Sequence, residues 1–353
     1  MQLGSLLNRN RHPYLGIDIG SSTVKLAALV KEGDKFRLEH LAVEQLDAEA
    51  MDHNSIKNPS KVSEALSRVW FQSAAKHKEC VLAVPLTSTF SRMLYLPAGQ
   101  SEAELESQVQ IEAGQIVPFD VNEVSLDFQV VGTAHGNEDQ IEVLLAATRT
   151  ENINQLESLV DESGLELAVV DIDKYALLNC YIGLLETPNL RDKTVALMHI
   201  GAHSIIFMAV RDRKELYVKD INFGTAQLEH QVAETVSADE QSDLQQLLSE
   251  PDARVNDEII QPFRHQLVLQ INRALQAYAS SSQYHRIEHV ILTGGGSRLL
   301  DLAEHLHDEL ELPVEVADFS ARLSIGNKVS RRLLKAHGPS LALALGLALR
   351  GCE

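Results

Sequence analysis

Cysteine, aromatic residues and positive charge are all scarce in this chain of 353 residues. The three cysteines, Cys80, Cys180 and Cys352, lie far apart and form no CxxC pair, which argues against a disulfide framework or a zinc site. Cys80 and Cys180 lie in apolar surroundings, which predicts buried thiols. This use of cysteine is typical of a reducing cytoplasm, so the sequence predicts a cytoplasmic protein.

Acidic residues outnumber basic ones, because the chain contains 31 Lys and Arg but 50 Asp and Glu, which gives a formal net charge of -19. A general nucleic-acid binder needs a basic footprint, and adhesion to anionic lipid needs a polybasic face. Long apolar runs are also lacking, since the stretch 341–349 is far short of the roughly 20 residues that span a bilayer. We therefore expect no nucleic-acid partner and no direct membrane insertion.

The apolar patterning predicts an α/β protein with two similar halves and an inserted unit. Residues 14–43 read as three short strands joined by polar turns, and residues 194–210 repeat the opening hairpin. The stretch 85–165 looks like a separate unit, because a helix ending before Pro118 is followed by two strands around a polar turn. The length of the chain fits two or three domains.

Three glycine-bearing turns, at 16–25, 199–204 and 293–298, each follow a short apolar run that is typical of a buried strand. A further strand follows the first two turns, and a helix is predicted from Arg298 onward after the third. In this order, the turns predict two halves that close on one nucleotide.

The first turn carries the groups that a phosphate needs, namely backbone N–H groups, small residues, hydroxyls and a cation. The candidate phosphate ligands are Gly20, Ser21, Ser22, Thr23 and Lys25. Asp18, at the end of the strand, is placed to hold Mg²⁺ through water. A plain β-hairpin with a polar turn and a strand-end acid explains the same residues.

The second turn supplies Gly201, Ala202 and His203, which could clamp the same phosphates from the opposite side. His199 stands where an acid would be expected. His199 and His203 are four residues apart, but a zinc pair at that spacing needs a helix, and this segment reads as a hairpin.

The third turn contains Gly294, Gly295 and Gly296, on which a nucleotide can lie, and Arg298, which could stack on an adenine face. It is not the dinucleotide fingerprint, because Leu299 fills the third glycine position. The alternative is a tight strand-to-helix turn. No spacing of acidic residues in the sequence singles out a general base.

These three turns resemble the phosphate 1, phosphate 2 and adenosine motifs of the actin-like ATPase superfamily. The segment 112–128 further resembles the signature of the PilM family of type IV pilus assembly proteins. The stretches 171–177, 223–228 and 271–283 are also similar to that family. The resemblance covers nearly the whole chain, and 112–128 is its most specific part.

The resemblance implies an actin-like ATPase fold of the FtsA type, with two similar halves around a nucleotide cleft and an inserted 1C subdomain. Subdomain 1A would span 1–84, completed by about 166–190 and 335–353, and subdomain 1C would span 85–165. Subdomain 2A would comprise 191–222 and 286–334, and subdomain 2B would comprise 223–285. ATP with Mg²⁺ would lie between the halves.

The resemblance also implies a partner, the N-terminal cytoplasmic tail of the inner-membrane protein PilN, bound in a groove between 1A and 1C. The chain would then be a peripheral adaptor at the cytoplasmic face of the inner membrane, linked indirectly to PilO, PilP and the pilus motor ATPases. Because a neutral His199 holds magnesium-bound water less well than a carboxylate, we expect nucleotide binding with weak or absent hydrolysis.

Other functions remain open at this point. A sugar-kinase-like phosphotransferase shares the layout of three turns but needs a substrate base. A filament-forming relative of FtsA or MreB is a second alternative, although no amphipathic membrane helix follows the apolar helix at 341–349. A close relative from MSHA pilus biogenesis or type II secretion is a third.

Overall fold

The structure is a computed structural model that describes residues 13–134, 136–235, 256–281 and 285–352. Within these ranges the chain forms two large sheets, a small three-stranded sheet and a short hairpin, with helices between and outside the sheets. No helix in the described ranges combines the length and the apolar character needed to cross a membrane.

The first sheet has six strands. In spatial order they are β10 (Glu166–Ile172), β6 (Glu79–Val84), β1 (Leu15–Ile19), β2 (Thr23–Glu32), β3 (Lys35–Gln45) and β16 (Leu323–Ile325). The meander predicted at the start of the chain is β1–β3, which are antiparallel, while β6 and β10 add to β1 in parallel. A two-residue turn joins β4 (Met51–Asp52) to β5 (Ser55–Ile56) in the hairpin beyond β3.

Two helices, α1 (Pro59–Ser73) and α3 (Thr150–Ser163), cover one face of the first sheet. Helix α1 begins after Asn58, whose side chain accepts a hydrogen bond from the Lys61 N–H, with Pro59 at its first position. Although residues 150–163 fall in the range expected for the inserted unit, α3 packs on α1 and on the first sheet. Its apolar stripe, which includes Leu159, is buried there.

The second sheet repeats the topology of the first. In spatial order its strands are β13 (Lys214–Ile221), β12 (Ile205–Arg211), β11 (Val195–Ile200), β14 (His289–Thr293) and β15 (Val314–Val316). Again an antiparallel meander, β11–β13, is extended by two parallel strands on the side of its first strand. The prediction of two similar halves is therefore confirmed.

Three helices, α5 (Ala226–Thr235), α6 (Gln261–Ser281) and α7 (Leu302–Leu310), lie on the outer face of the second sheet. The expectation of a helix from Arg298 onward is wrong by four residues. Gly295–Arg298 form one 3-10 turn, and α7 starts only at Leu302. The turn is anchored by Ser297, whose hydroxyl donates to the Gly294 carbonyl at 2.7 Å.

The inserted unit is a three-stranded antiparallel sheet covered by one helix. Its elements are β7 (Thr89–Pro97), α2 (Glu102–Ile116), β8 (Val124–Ala134) and β9 (Asn137–Arg149), with β9 at the centre. Ser101 and Glu104 form a capping box at the start of α2. The apolar stripe predicted for this helix, including Leu105 and Val109, is buried against the sheet.

Helices α4 (Asp173–Cys180) and α9 (Ala342–Leu349) lie between the two large sheets, and α8 (Arg331–His337) precedes α9. Their shared core contains residues of both sheets, so the two halves are one folding unit in this region. Two glycines allow the elements to approach closely. A Cβ at Gly346 would overlap the Ala176 carbonyl of α4, and a Cβ at Gly16 would overlap the backbone of α9.

We expect Gly346→Ala to destabilise the protein by about 1–3 kcal/mol, since overpacking outweighs the gain in helix propensity. Gly132→Ala is the matched control, because no heavy atom lies within 4 Å of a Cβ built at Gly132. Urea denaturation of both variants measures the difference. Equal free energies of unfolding for the two variants would contradict the tight packing of α9 on α4.

Candidate functional site

The three glycine turns meet at one cleft of about 230 Å³ between the two halves. All the predicted site residues except Gly294 line this cleft. They are Asp18, Gly20, Ser21, Ser22, Thr23, Lys25, Gly201, Ala202, His203, Gly295, Gly296 and Arg298. Gly294 lies behind it, with a positive φ of 85° and its N–H donating to the Pro339 carbonyl at 2.9 Å. It shapes the turn.

The two strands that flank the first turn carry opposite charges next to the turn. The Gly20 N–H donates to the Thr23 carbonyl at 3.0 Å and closes the hairpin. Asp18 and Lys25 are cross-strand partners, and their side chains form an ion pair with Nζ 2.9 Å from Oδ2. Both side chains are only about one-tenth exposed, so a fixed cation and a fixed carboxylate stand at the edge of the cleft.

The second turn has the same geometry without the charges. The Gly201 N–H donates to the Ser204 carbonyl at 2.9 Å, but His199 takes the place of Asp18 and Ile206 takes the place of Lys25. Burial lowers the pKa of His199 to about 4, while the smaller effect of Asp18 raises this pKa and that of Lys25 lowers it. The ring is therefore neutral near pH 7, and its Nδ1 lies 3.1 Å from the Thr293 hydroxyl.

Asp173, which sequence reasoning did not single out, also lines the cleft. Its Oδ1 accepts hydrogen bonds from the Leu86 N–H at 2.9 Å and the Lys174 N–H at 2.6 Å. Burial raises the pKa of this carboxyl to about 7, the two N–H groups lower it, and Asp220 and Asp18 raise it further. A carboxyl with a pKa near neutrality can take a proton from water, which is the property of a general base.

The end of the cleft at the third turn contains Arg298 and His337. The Arg298 guanidinium donates to the Ala336 carbonyl and so ties the third turn to α8. Burial, Lys25 and Arg298 together lower the pKa of His337. Sequence reasoning missed His337, because only the fold brings the end of α8 to the glycine turns.

Residues of the two halves touch at the mouth of the cleft. The rings of His53 and His203 lie edge to face with centroids 4.7 Å apart. Beside them, the Asn54 side chain donates to the Ser204 hydroxyl at 3.3 Å. The hairpin β4–β5 therefore reaches across the cleft to the second glycine turn.

A smaller groove of about 120 Å³ lies between the first sheet and the inserted unit. It is lined by Val84, Thr89, Ser125, Leu126, Asp127, Ala146, Ala147, Thr148, Ile153, Val170, Asp171 and Ile172. The segment 112–128, the most specific part of the family resemblance, contributes three of these residues, at 125–127. The stretch 171–177 contributes Asp171 and Ile172, so two of the four family-like segments meet at this groove.

Comparison with known families identifies the chain. A family model described as type IV pilus assembly protein PilM matches residues 16–352. The chain belongs to the PilM family. This membership favours the pilus assembly protein over the phosphotransferase and filament alternatives. Within the described residues, no cluster of three or more His, Cys, Asp or Glu side chains could hold a metal ion directly.

Solved structures share the fold of this PilM family member. A chain of a PilM-PilN type IV pilus biogenesis complex is similar with a TM-score of 0.80 and 24% identity, covering 98% of this chain and 100% of that chain. The ethanolamine utilization protein EutJ from Carboxydothermus hydrogenoformans has a TM-score of 0.58 and 13% identity, with coverage of 96% and 90%. With the repeated sheet topology, these likenesses establish the actin-like ATPase fold.

We expect Asp173 to make the protein less stable as pH rises. The folded protein holds this proton up to about pH 7, whereas an unfolded aspartate loses it near pH 4, so the free energy of unfolding falls between these values. Asp173→Asn removes the ionisation. Urea denaturation should show the variant more stable than the wild type by about 1–3 kcal/mol at pH 8, with a smaller difference at pH 5. A difference independent of pH would contradict the raised pKa.

Proposed function

We propose that this chain is a cytoplasmic scaffold of the type IV pilus machine, which binds a nucleotide in the cleft and a PilN-like tail in the groove. The family match over residues 16–352 carries the proposal. The likeness to a solved PilM-PilN complex, across the full length of that chain, supports PilN as the partner. The segments 112–128 and 171–177, two of the four family-like segments, both line the groove, which supports that place for the peptide.

The chemistry of the groove fits an apolar peptide with a basic residue. Leu126, Ala146 and Val170 supply apolar surface, and the exposed carboxylate of Asp127 stands at the rim. The Asp171 carboxylate is already held by the Arg350 guanidinium at 2.8 Å, so Asp127 is the acid better placed for a cation. Main-chain contacts and side-chain pockets together would hold an extended tail.

Binding of this tail would keep the chain at the cytoplasmic face of the inner membrane. PilO, PilP and the motor ATPases would then be reached indirectly, through PilN. The subdomain assignment given above belongs to this proposal, with one change. Since α3 packs on the first sheet, we assign residues 150–163 to subdomain 1A and end subdomain 1C at Arg149.

ATP with Mg²⁺ fits the cleft. Lys25 and the hydroxyls at 21–23 lie beside the first turn, and the second turn faces them across the cleft. Gly295 leaves open space, since no heavy atom lies within 4 Å of a Cβ built there. Asp18 would hold Mg²⁺ through water, Arg298 would face the base, and the ion would neutralise phosphate charge.

Hydrolysis would be slow or absent. Asp173 can accept a proton from water near neutral pH. However, His199 offers a neutral ring where a carboxylate would hold magnesium-bound water. The chain therefore keeps the groups that bind and position a nucleotide and lacks one that promotes its cleavage.

We expect Gly295→Leu to abolish the thermal stabilisation that Mg-ATP gives the wild type, because the new side chain would fill the open end of the cleft. The fold should survive, since no heavy atom lies within 4 Å of a Cβ built at Gly295 and the longer side chain would extend into the open cleft. Gly132→Leu, on β8 of the inserted unit, is the control and should keep the stabilisation. Persistence of the Mg-ATP shift in Gly295→Leu would overturn the placement of the adenosine.

We expect Ala146→Arg to weaken binding of the N-terminal PilN-like tail about tenfold or more, because the long side chain would occupy the groove. Gln129→Arg adds the same charge at an exposed site on β8 outside the groove lining. Fluorescence anisotropy with a labelled synthetic tail compares the two variants. Equal affinities would show that the tail binds elsewhere, and no binding by the wild type would refute the proposed partner.

A further inference from the structure

Three histidines, His199, His203 and His337, line the cleft, and two of them already have a partner. The Nδ1 of His199 lies 3.1 Å from the Thr293 hydroxyl. The ring of His203 packs against the ring of His53 with centroids 4.7 Å apart. Within the ranges that the structure describes, the ring of His337 makes no hydrogen bond to another residue. Its nitrogens are therefore available to a ligand in the cleft.

Hydrogen bonds fix the backbone on both sides of His337. The Arg298 guanidinium donates to the carbonyl of the preceding residue, and the Gly294 N–H donates to the Pro339 carbonyl at 2.9 Å. The Ser340 hydroxyl donates to the carbonyl of His337 itself at 2.7 Å. Because the third glycine turn holds this segment, His337 has a defined place at the wall of the cleft.

The charges around His337 keep its ring neutral. Burial lowers the pKa of the ring most, and the positive charges of Lys25 and Arg298 lower it further. The charged residues of its own helix, α8, are exposed, and they are Arg331, Arg332 and Lys335. The other titratable side chains of the cleft lining are Asp18, Asp173, His199 and His203. Near pH 7 the ring therefore offers one N–H donor and one acceptor nitrogen.

An anion in the cleft reverses this balance. Opposite charge within about 4–6 Å favours the protonated form of an imidazole, and the phosphate chain of a nucleotide supplies that charge. A protonated ring donates from both nitrogens, and its hydrogen bonds to phosphate are about twice as strong as those of a neutral donor. Since Lys25 and Arg298 both act on His337, the ring lies near both the first and the third glycine turn.

We propose that His337 is a nucleotide-binding residue of the cleft, which takes up a proton from water as the phosphate chain binds and then donates to a phosphate oxygen. This inference rests on the proposed nucleotide site and adds a residue and a proton to it. The proton stays on the ring while the ligand is bound and returns to water when the ligand leaves, so no other reactant is needed.

Proton uptake makes the affinity for the nucleotide depend on pH. A group whose pKa is higher in the complex than in the free protein favours the complex at low pH, and this gain is lost as pH rises through the higher pKa. The contribution of His337 to binding is therefore weakest in alkaline solution. Asp173 also titrates in the cleft, with a pKa of about 7, so the test has to compare variants of His337.

The test is isothermal titration calorimetry with Mg-AMPPNP at pH 7 in buffers of different ionisation enthalpy, which counts the protons taken up on binding. His337→Gln keeps hydrogen-bonding groups but cannot gain a charge, whereas His337→Lys carries a permanent charge. Asp173 is present in both variants, so differences from the wild type report on His337. His265→Gln is the matched control, since His265 is exposed on α6 and is not part of the cleft lining.

We expect His337→Gln to bind Mg-AMPPNP about fivefold more weakly than the wild type and to take up fewer protons, by as much as one. His337→Lys should take up as few protons as His337→Gln but bind about as tightly as the wild type. His265→Gln should match the wild type in both measurements. A purely structural role would lower the affinity of both His337 variants and leave the proton count unchanged, which would overturn the inference.

Equal proton uptake by the wild type and His337→Gln would also overturn it, and the proposed nucleotide site would stand. If His337→Gln does not fold, the same comparison is made with His337→Lys, where equal uptake has the same meaning. If the wild type binds no Mg-AMPPNP, the proposed nucleotide site fails first, and the role of His337 fails with it.

Discussion

The packing of two helices between two sheets of the same topology is the constraint on which the site depends. Helices α4 and α9 share one core with residues of both large sheets. Helix α9 approaches α4 at Gly346 and β1 at Gly16 so closely that no side chain fits at either glycine. Because close-packed interiors deform little, this shared core sets how the two halves present their glycine turns to each other, and the cleft is a consequence of that packing.

The two halves share the same hairpin architecture, but the side chains on the two hairpins differ in charge. Each half presents a hairpin closed by the same glycine-to-carbonyl hydrogen bond. Only the first hairpin carries an acid and a cation, Asp18 and Lys25, while the second places neutral His199 and Ile206 at the equivalent positions. In the proposed nucleotide site, the charged groups for a phosphate would come mainly from one half, an arrangement that favours holding a ligand over cleaving it.

The inserted unit forms a second cavity, the groove, which adjoins the cleft at the end of β6. At the end of β6, Ala83 and Pro85 line the cleft and Val84 between them lines the groove, as the alternation of side chains along a strand predicts. The segment 112–128 contributes to the groove and not to the cleft. The most distinctive stretch of the sequence therefore lines the groove that we propose as the site of the partner, which is consistent with a scaffold.

The sequence by itself determined the local features. Alternation and helical spacing predicted the meanders, α1 and α2. Turn chemistry predicted that the glycine turns belong to one nucleotide site, and the three turns line one cleft. Only the tertiary structure decided that α3 packs on the first sheet, that Gly294 lies behind the cleft, and that Asp173 and His337 line it. The reason is physical. Periodicity and turn propensity act between near neighbours in the chain, whereas the burial that raises the pKa of Asp173 comes from segments that meet only when distant elements pack together.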